Sequence, residues 1–223
     1  MKKFFNMLFS ICFSLFIILG IIRFTVGFRQ LYYFDINYLD IPKISSLSED
    51  EIKANYDYLI DYNLNIKEEE FKLPTIQFSP QGKIHFEEVR DIFQGINKIT
   101  LGLLAVCIVG VFIKIKNKQI DFLNKTSKLL LILPIIVLVP MLISFDKTFI
   151  IFHKLFFDND YWIFDPSMDP VINILPQEFF FHAGVMIIIL VLIFSLVTRI
   201  LYKKLNKKYN SRRSIFHRTN YHW

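Results

Sequence analysis

Four long apolar stretches break an otherwise polar chain, at about 4–27, 99–115, 129–145 and 181–201. The hydrocarbon core of a bilayer is about 30 Å thick, and a helix needs roughly 20 apolar residues to cross it. Each stretch is near that length, and only Arg23 interrupts the first. The pattern predicts an all-α membrane protein, 1–223, with four transmembrane helices in a single integral domain. A long insertion, 28–98, separates the first two spans, and a second one, 146–180, separates the last two. Lys2 and Lys3 before the first stretch fit the start of a signal peptide. The run Ile21-Ile22-Arg23-Phe24-Thr25-Val26-Gly27 lacks a small-x-small cleavage site, however, so a retained helix is expected.

Charge gives the spans a direction. The formal net charge of +6 would suit nucleic acid if it were spread over one face. It falls instead in blocks beside the apolar runs, which is how topology is written, so no nucleic-acid partner is expected. Lys2 and Lys3 precede the first span, five lysines from Lys114 to Lys128 fill the connection 116–128 and its edges, and the tail 202–223 is basic. The two remaining loops carry the acids, including Glu49, Asp50, Glu51, Glu68, Glu69 and Glu70 in one and Asp158, Asp160, Asp165 and Asp169 in the other. Both termini are therefore expected in the cytoplasm and both insertions outside, in a multi-pass protein of the cell membrane. The 53% hydrophobic fraction fits this class. Cys12 and Cys107 both lie inside apolar runs, so neither a disulfide framework nor a zinc cluster is expected.

The first insertion is too long for a plain connection. Ser48 followed three residues later by Glu51 reads as a capping box, and Ile52, Tyr56, Leu59 and Ile60 fall on one face, so a helix is expected over 48–62. Over 71–86 the alternation, Pro74, Pro80 and the Gln81-Gly82 pair suggest a short β-like hairpin. A helix over 87–96 would lead into the second span. The second insertion is dense in aromatic residues, which suit the headgroup level, and 149–157 reads as an interfacial helix.

Candidate chemistry centres on two histidines near the membrane in these insertions, His85 and His153. Imidazole moves protons near neutral pH, and two rings facing one pocket would suit acid–base work. The bland alternative is a structural histidine bonded to a carbonyl. His153 to Asp158 has the H-x-x-x-x-D spacing of glycerolipid acyltransferases, without the block that accompanies it there. No H-E-x-x-H pair or calcium-loop spacing is present, so no metal is expected. Arg23 is a candidate for a phosphate or carboxylate, or a snorkelling anchor. Arg90 and Lys83 flank His85 and could meet a lipid phosphate or an acidic neighbour. His182 reads as an interfacial anchor. His217 and His222 fall in the basic tail.

Together these residues resemble the lipoprotein intramolecular transacylase family of Gram-positive bacteria. The resemblance rests on Tyr32-Tyr33-Phe34-Asp35, on the block from Gly82 to Arg90, and on Phe152-His153, Phe156-Phe157, Asn159-Asp160, Trp162, Asp169-Pro170-Val171-Ile172, Leu175-Pro176 and Phe179-Phe180. Glu88 departs from it, since the family often has Asp there. The resemblance implies an enzyme of the outer leaflet that moves the sn-2 acyl chain of a diacylated lipoprotein to the α-amino group of its N-terminal cysteine. It implies no cofactor, membrane lipids as surroundings, His85 as base and His153 as its partner. Tyr32, Arg23, Arg90, Asn159, Asp160 and Trp162 then become candidate contacts for substrate, oxyanion or phosphate. The alternatives are a non-catalytic scaffold with an acidic outer loop and another lipid acyltransferase.

Overall fold

The computed structural model describes residues 2–67 and 70–219; Glu68, Glu69 and His222 lie outside them, as do the side chains of Arg212, Arg213, His217 and Arg218. The described residues form helices only: α1 (Lys2–Gly27), α2 (Arg29–Tyr38), α3 (Ile41–Ser45), α4 (Glu49–Leu64), α5 (Pro80–Lys116), α6 (Asp121–Ile143), α7 (Phe145–Phe156), α8 (Val171–Ile174) and α9 (Gln177–Thr219). Four of them, α1, α5, α6 and α9, are long and apolar enough to cross a membrane. Their apolar parts expose large side chains such as Leu101, Ile108, Phe112 and Ile136, a surface that water would disfavour and lipid would not.

The chain divides into two compact units. The first comprises 1–21, 100–137 and 188–223. Its centre is Phe9, Phe122 and Leu123, with Phe13 and Tyr202 against them. Gly110 allows the close approach, because a Cβ there would lie 2.1 Å from the Phe9 ring. Between apolar helices there is little hydrophobic drive in lipid, so short polar contacts matter more. Ser195 donates to the Ser127 carbonyl at 2.6 Å, and Lys114 and Arg199 bond Asn6 and Asn124.

The second unit, 22–99 and 138–187, has a globular core of Tyr32, Ile36, Ile52, Tyr56, Leu59, Phe71, Phe86, Val171, Ile174 and Phe179 among others. Helix α4 begins with the expected capping box, the Ser48 hydroxyl accepting from Glu51 N while the Glu51 carboxylate accepts from Ser48 N. Its buried face is Ile52, Asn55, Tyr56, Leu59, Ile60, Tyr62 and Asn63.

The hairpin expected over 71–86 is not formed. No strand occurs among the described residues, and 80–86 already belongs to α5. Ser79-Pro80-Gln81-Gly82 is a helix start and not a turn: the Ser79 hydroxyl accepts from Gly82 N at 2.9 Å, and Pro80 sits at the first helical position, where its missing N–H costs nothing. The preceding extended segment finds side-chain partners in place of a neighbouring strand. Asn55 bonds both the hydroxyl and the N–H of Thr75, and the Tyr58 hydroxyl accepts from Lys72 N at 2.7 Å.

Candidate active site

The start of α5 is fixed from the second insertion. The Asp169 carboxylate, buried, accepts from Ser79 N at 2.7 Å. An acid there also complements the positive end of the helix dipole. The fit requires glycine at 82, since a Cβ would stand 2.2 Å from Asp169 Oδ1. His85 follows within the polar first turns of α5, ahead of its apolar part.

The His85 ring is only 5% exposed. Phe157, Phe164 and Phe86 wall it at centroid distances of 4.7, 5.4 and 5.7 Å, and the His153 ring lies 6.1 Å away. The two histidines named from the sequence are thus brought together, near enough for one small group to touch both. His85 Nδ1 is buried and has no hydrogen-bond partner. Burial among rings, with His153 nearby as a second cause, lowers the His85 pKa to about 4. At neutral pH the ring is uncharged.

His153 is held differently. Its Nδ1 lies 2.8 Å from the Phe149 carbonyl, one turn back along α7. A carbonyl only accepts, so Nδ1 carries the hydrogen and Nε2 presents a lone pair in the neutral ring. Phe149 and Trp162 cover its faces at 4.2 and 4.6 Å. Burial lowers its pKa too, against the opposing pull of the carbonyl bond.

The loop 157–170 is wound around Asn159. Asn159 Oδ1 accepts from Tyr161 N at 3.0 Å, its carbonyl accepts from Trp162 Nε1 at 3.1 Å, and its Nδ2 donates to Glu88 Oε1 at 2.7 Å. Asn159 Nδ2 and Trp162 Nε1, candidate oxyanion donors, thus each donate a hydrogen bond within the protein. The Asp160 side chain is exposed, in a recess of about 300 Å³ shared with Lys154, Phe157, Asp158 and Asn159. Phe157 belongs both to that recess and to the wall of His85.

Three other candidates have structural work. Tyr32 is fully buried, stacks on Tyr56 at 3.6 Å and donates to the Ile174 carbonyl at 2.5 Å. Arg90, a candidate for a lipid phosphate, is buried and donates to the carbonyls of Tyr62, Asn65 and Lys67, closing the C-terminal end of α4. Arg23, half-buried, donates to Asn97. His182, read as an interfacial anchor, instead bonds the fully buried Asp35, Nδ1 lying 2.9 and 3.0 Å from its two oxygens. Lys83 pairs with Glu70 at 3.2 Å. Among the described residues no cluster of three metal-ligating side chains occurs.

Sequence reasoning missed α2, Asp35 as the partner of His182, and Asp169 as the clamp on α5. A signal existed for α2, where Tyr32, Asp35 and Ile36 share a helical face. Nothing local marked the other two.

The family model described as "Lipoprotein intramolecular transacylase Lit" matches residues 7–180. No curated protein matches the sequence. Among solved structures, the membrane integral lipoprotein intramolecular transacylase Lit from Bacillus cereus is similar with a TM-score of 0.91 and 37% identity, covering 95% of this chain and 98% of that one. Structures of the Bacillus cereus protein with an H85R or an H85A mutation, in its own numbering, each match with a TM-score of 0.82 and 36% identity. They cover 95% and 94% of this chain, and 96% and 97% of theirs.

Proposed function

We propose that this chain, which belongs to the lipoprotein intramolecular transacylase Lit family, performs its acyl transfer with His85 and His153 as the proton-handling pair. The observation that carries the reading is the meeting of two neutral imidazoles in one apolar pocket. The substrate is a diacylated lipoprotein, and membrane lipids surround it. The spans are the apolar parts of α1, α5, α6 and α9, near 4–27, 99–115, 129–145 and 181–201. Both termini are cytoplasmic and the histidines lie at the outer face, where acyl chains and an exported cysteine meet. Nucleic acid has no part.

Donor and acceptor lie in one molecule, so proximity supplies much of the rate and no cofactor is needed. The substrate's α-ammonium gives one proton to His85, which acts as base. The freed amine attacks the carbonyl carbon of the sn-2 ester. As the tetrahedral adduct collapses, the C–N amide bond remains and the bond from the carbonyl carbon to the sn-2 oxygen breaks. His153 Nε2 takes the second nitrogen proton and returns it to the leaving oxygen, giving an alcohol. One proton is released to solvent overall, from His85. A ring held near 4 is a poor acceptor in isolation. The apolar pocket also disfavours the charged ammonium, so the transfer is closer to balanced than water values imply. The recess by Phe157, lined with Lys154, Asp158 and Asp160, is a polar approach for the peptide that follows the cysteine.

Mass spectrometry of a lipoprotein N-terminal peptide from cells expressing this chain tests the reading. One N-acyl and one glyceryl O-acyl chain are expected, lost on His85→Ala. A peptide that keeps its diacylglyceryl group beside folded enzyme would favour the scaffold alternative.

A further inference from the structure

We propose that Glu88 binds the α-ammonium of the substrate cysteine, its Oε2 forming the ion pair that presents this group to the histidines. The inference rests on the transacylase reading and adds the element that recognises the amine.

Glu88 lies three residues after His85 on α5, a spacing that puts both on one helix face. Its two oxygens are treated unequally. Oε1 accepts from Asn159 Nδ2 at 2.7 Å, while Oε2 is buried and has no partner. Native proteins rarely leave a buried carboxylate oxygen unmatched, and an unmatched one is a place for an ion or a ligand. The two cations of α5 that flank Glu88 in sequence, Lys83 and Arg90, are engaged elsewhere. Lys83 Nζ is with Glu70 at 3.2 Å and Glu87 at 3.9 Å, and Arg90 is held by the carbonyls at the end of α4.

The reaction itself delivers a cation of the right size. An α-amino group has a reference pKa of about 7.7–8.0, so it reaches the site mostly as ammonium. Both imidazoles are neutral there and offer it no competing charge. A carboxylate one helical turn from His85 balances the positive charge on the ammonium. Glu88 makes no covalent bond. Asn159 is a positioning residue. It fixes Glu88 and, through the Trp162 indole bonded to its carbonyl, ties that carboxylate to the ring that covers His153.

The test uses the full chain in lipid nanodiscs and two non-transferable lipopeptides, with ether-linked glyceryl chains and either a free or an acetylated amino group. Wild type is expected to bind the free-amine form at least about tenfold tighter, as for a desolvated ion pair. Glu88→Gln, nearly isosteric, should remove that preference without weakening the acetylated form, and Glu88→Asp should keep most of it. The proposal is overturned if Glu88→Gln retains the preference, if it weakens both forms equally, or if wild type shows none. Conversion of the ester substrate is followed separately. Conversion without amine preference sinks Glu88 alone, whereas no conversion sinks the transacylase reading.

Discussion

His85 and His182 belong to the same compact unit, yet one is walled by phenylalanine rings with its Nδ1 unbonded and the other is latched to the buried Asp35. The first arrangement costs stability, because burial removes water from a polar atom and returns nothing. The second closes a hydrogen bond in the core, linking α2 to the start of α9. A buried ring nitrogen that lacks a partner inside the protein, as at His85, is open to a substrate, whereas His182 Nδ1 is occupied by the Asp35 carboxylate. His153 stands between them, its Nδ1 held by the Phe149 carbonyl and its Nε2 left for chemistry.

Four changes would break or sharpen this contrast. The largest effect is expected from His85→Gln or His153→Gln, each lowering N-acylation by about 10³-fold in line with the loss of a proton-transfer group. The thermal midpoint of His85→Leu should hold or rise, since an unsatisfied buried ring nitrogen is removed and no polar group replaces it. His182→Ala reverses the pattern. It leaves Asp35 buried and unpaired and should cost about 3 kcal/mol of stability, while activity per folded molecule changes little. Adding Asp35→Asn should recover part of that loss, which denaturant unfolding of the double variant would read as a coupling.

Titration gives the next effect. Folded His85 takes a proton only near pH 4, whereas an unfolded histidine does so near 6.5. Between those values the unfolded chain binds more protons. Stability is therefore full above about pH 6.5 and declines by up to about 3 kcal/mol as pH falls toward 4. Unfolding measured across that window should show a shallower decline in His85→Gln. If the two slopes coincide, the ring is not desolvated as described.

The smallest effect comes from Gly82→Ala. Helix propensity alone would make alanine better by about 1 kcal/mol. The Cβ would stand 2.2 Å from an Asp169 oxygen already fixed by Ser79 N, however, so a net loss of about 1–2 kcal/mol is expected, as for overpacking. Activity should fall with it, because Asp169 sets where α5, and so His85, begins. A stabilised, fully active Gly82→Ala would show that the clamp is loose.

Much of this was legible along the chain. Four apolar helices follow from long hydrophobic runs, and the start of α4 follows from Ser48 and Glu51 three residues apart. The two histidines stood out by type and setting. What misled was Ser79-Pro80-Gln81-Gly82, whose residues serve a turn as well as an N-cap; only the bond to Asp169, 90 positions away, selects the helix. Arg90 looked like a phosphate ligand because a guanidinium advertises charge, and nothing nearby reveals that three carbonyls claim it. His182 and Asp35 are 147 positions apart, and neither announces the other. Hydrophobic period, capping and apolar length are properties of neighbours in sequence, so the sequence by itself determined the four apolar helices, the start of α4 and the lipid-compatible surfaces. Desolvation and pairing depend on what the fold brings within a few ångströms, so only the tertiary structure decided which polar atoms are satisfied and which are left for chemistry.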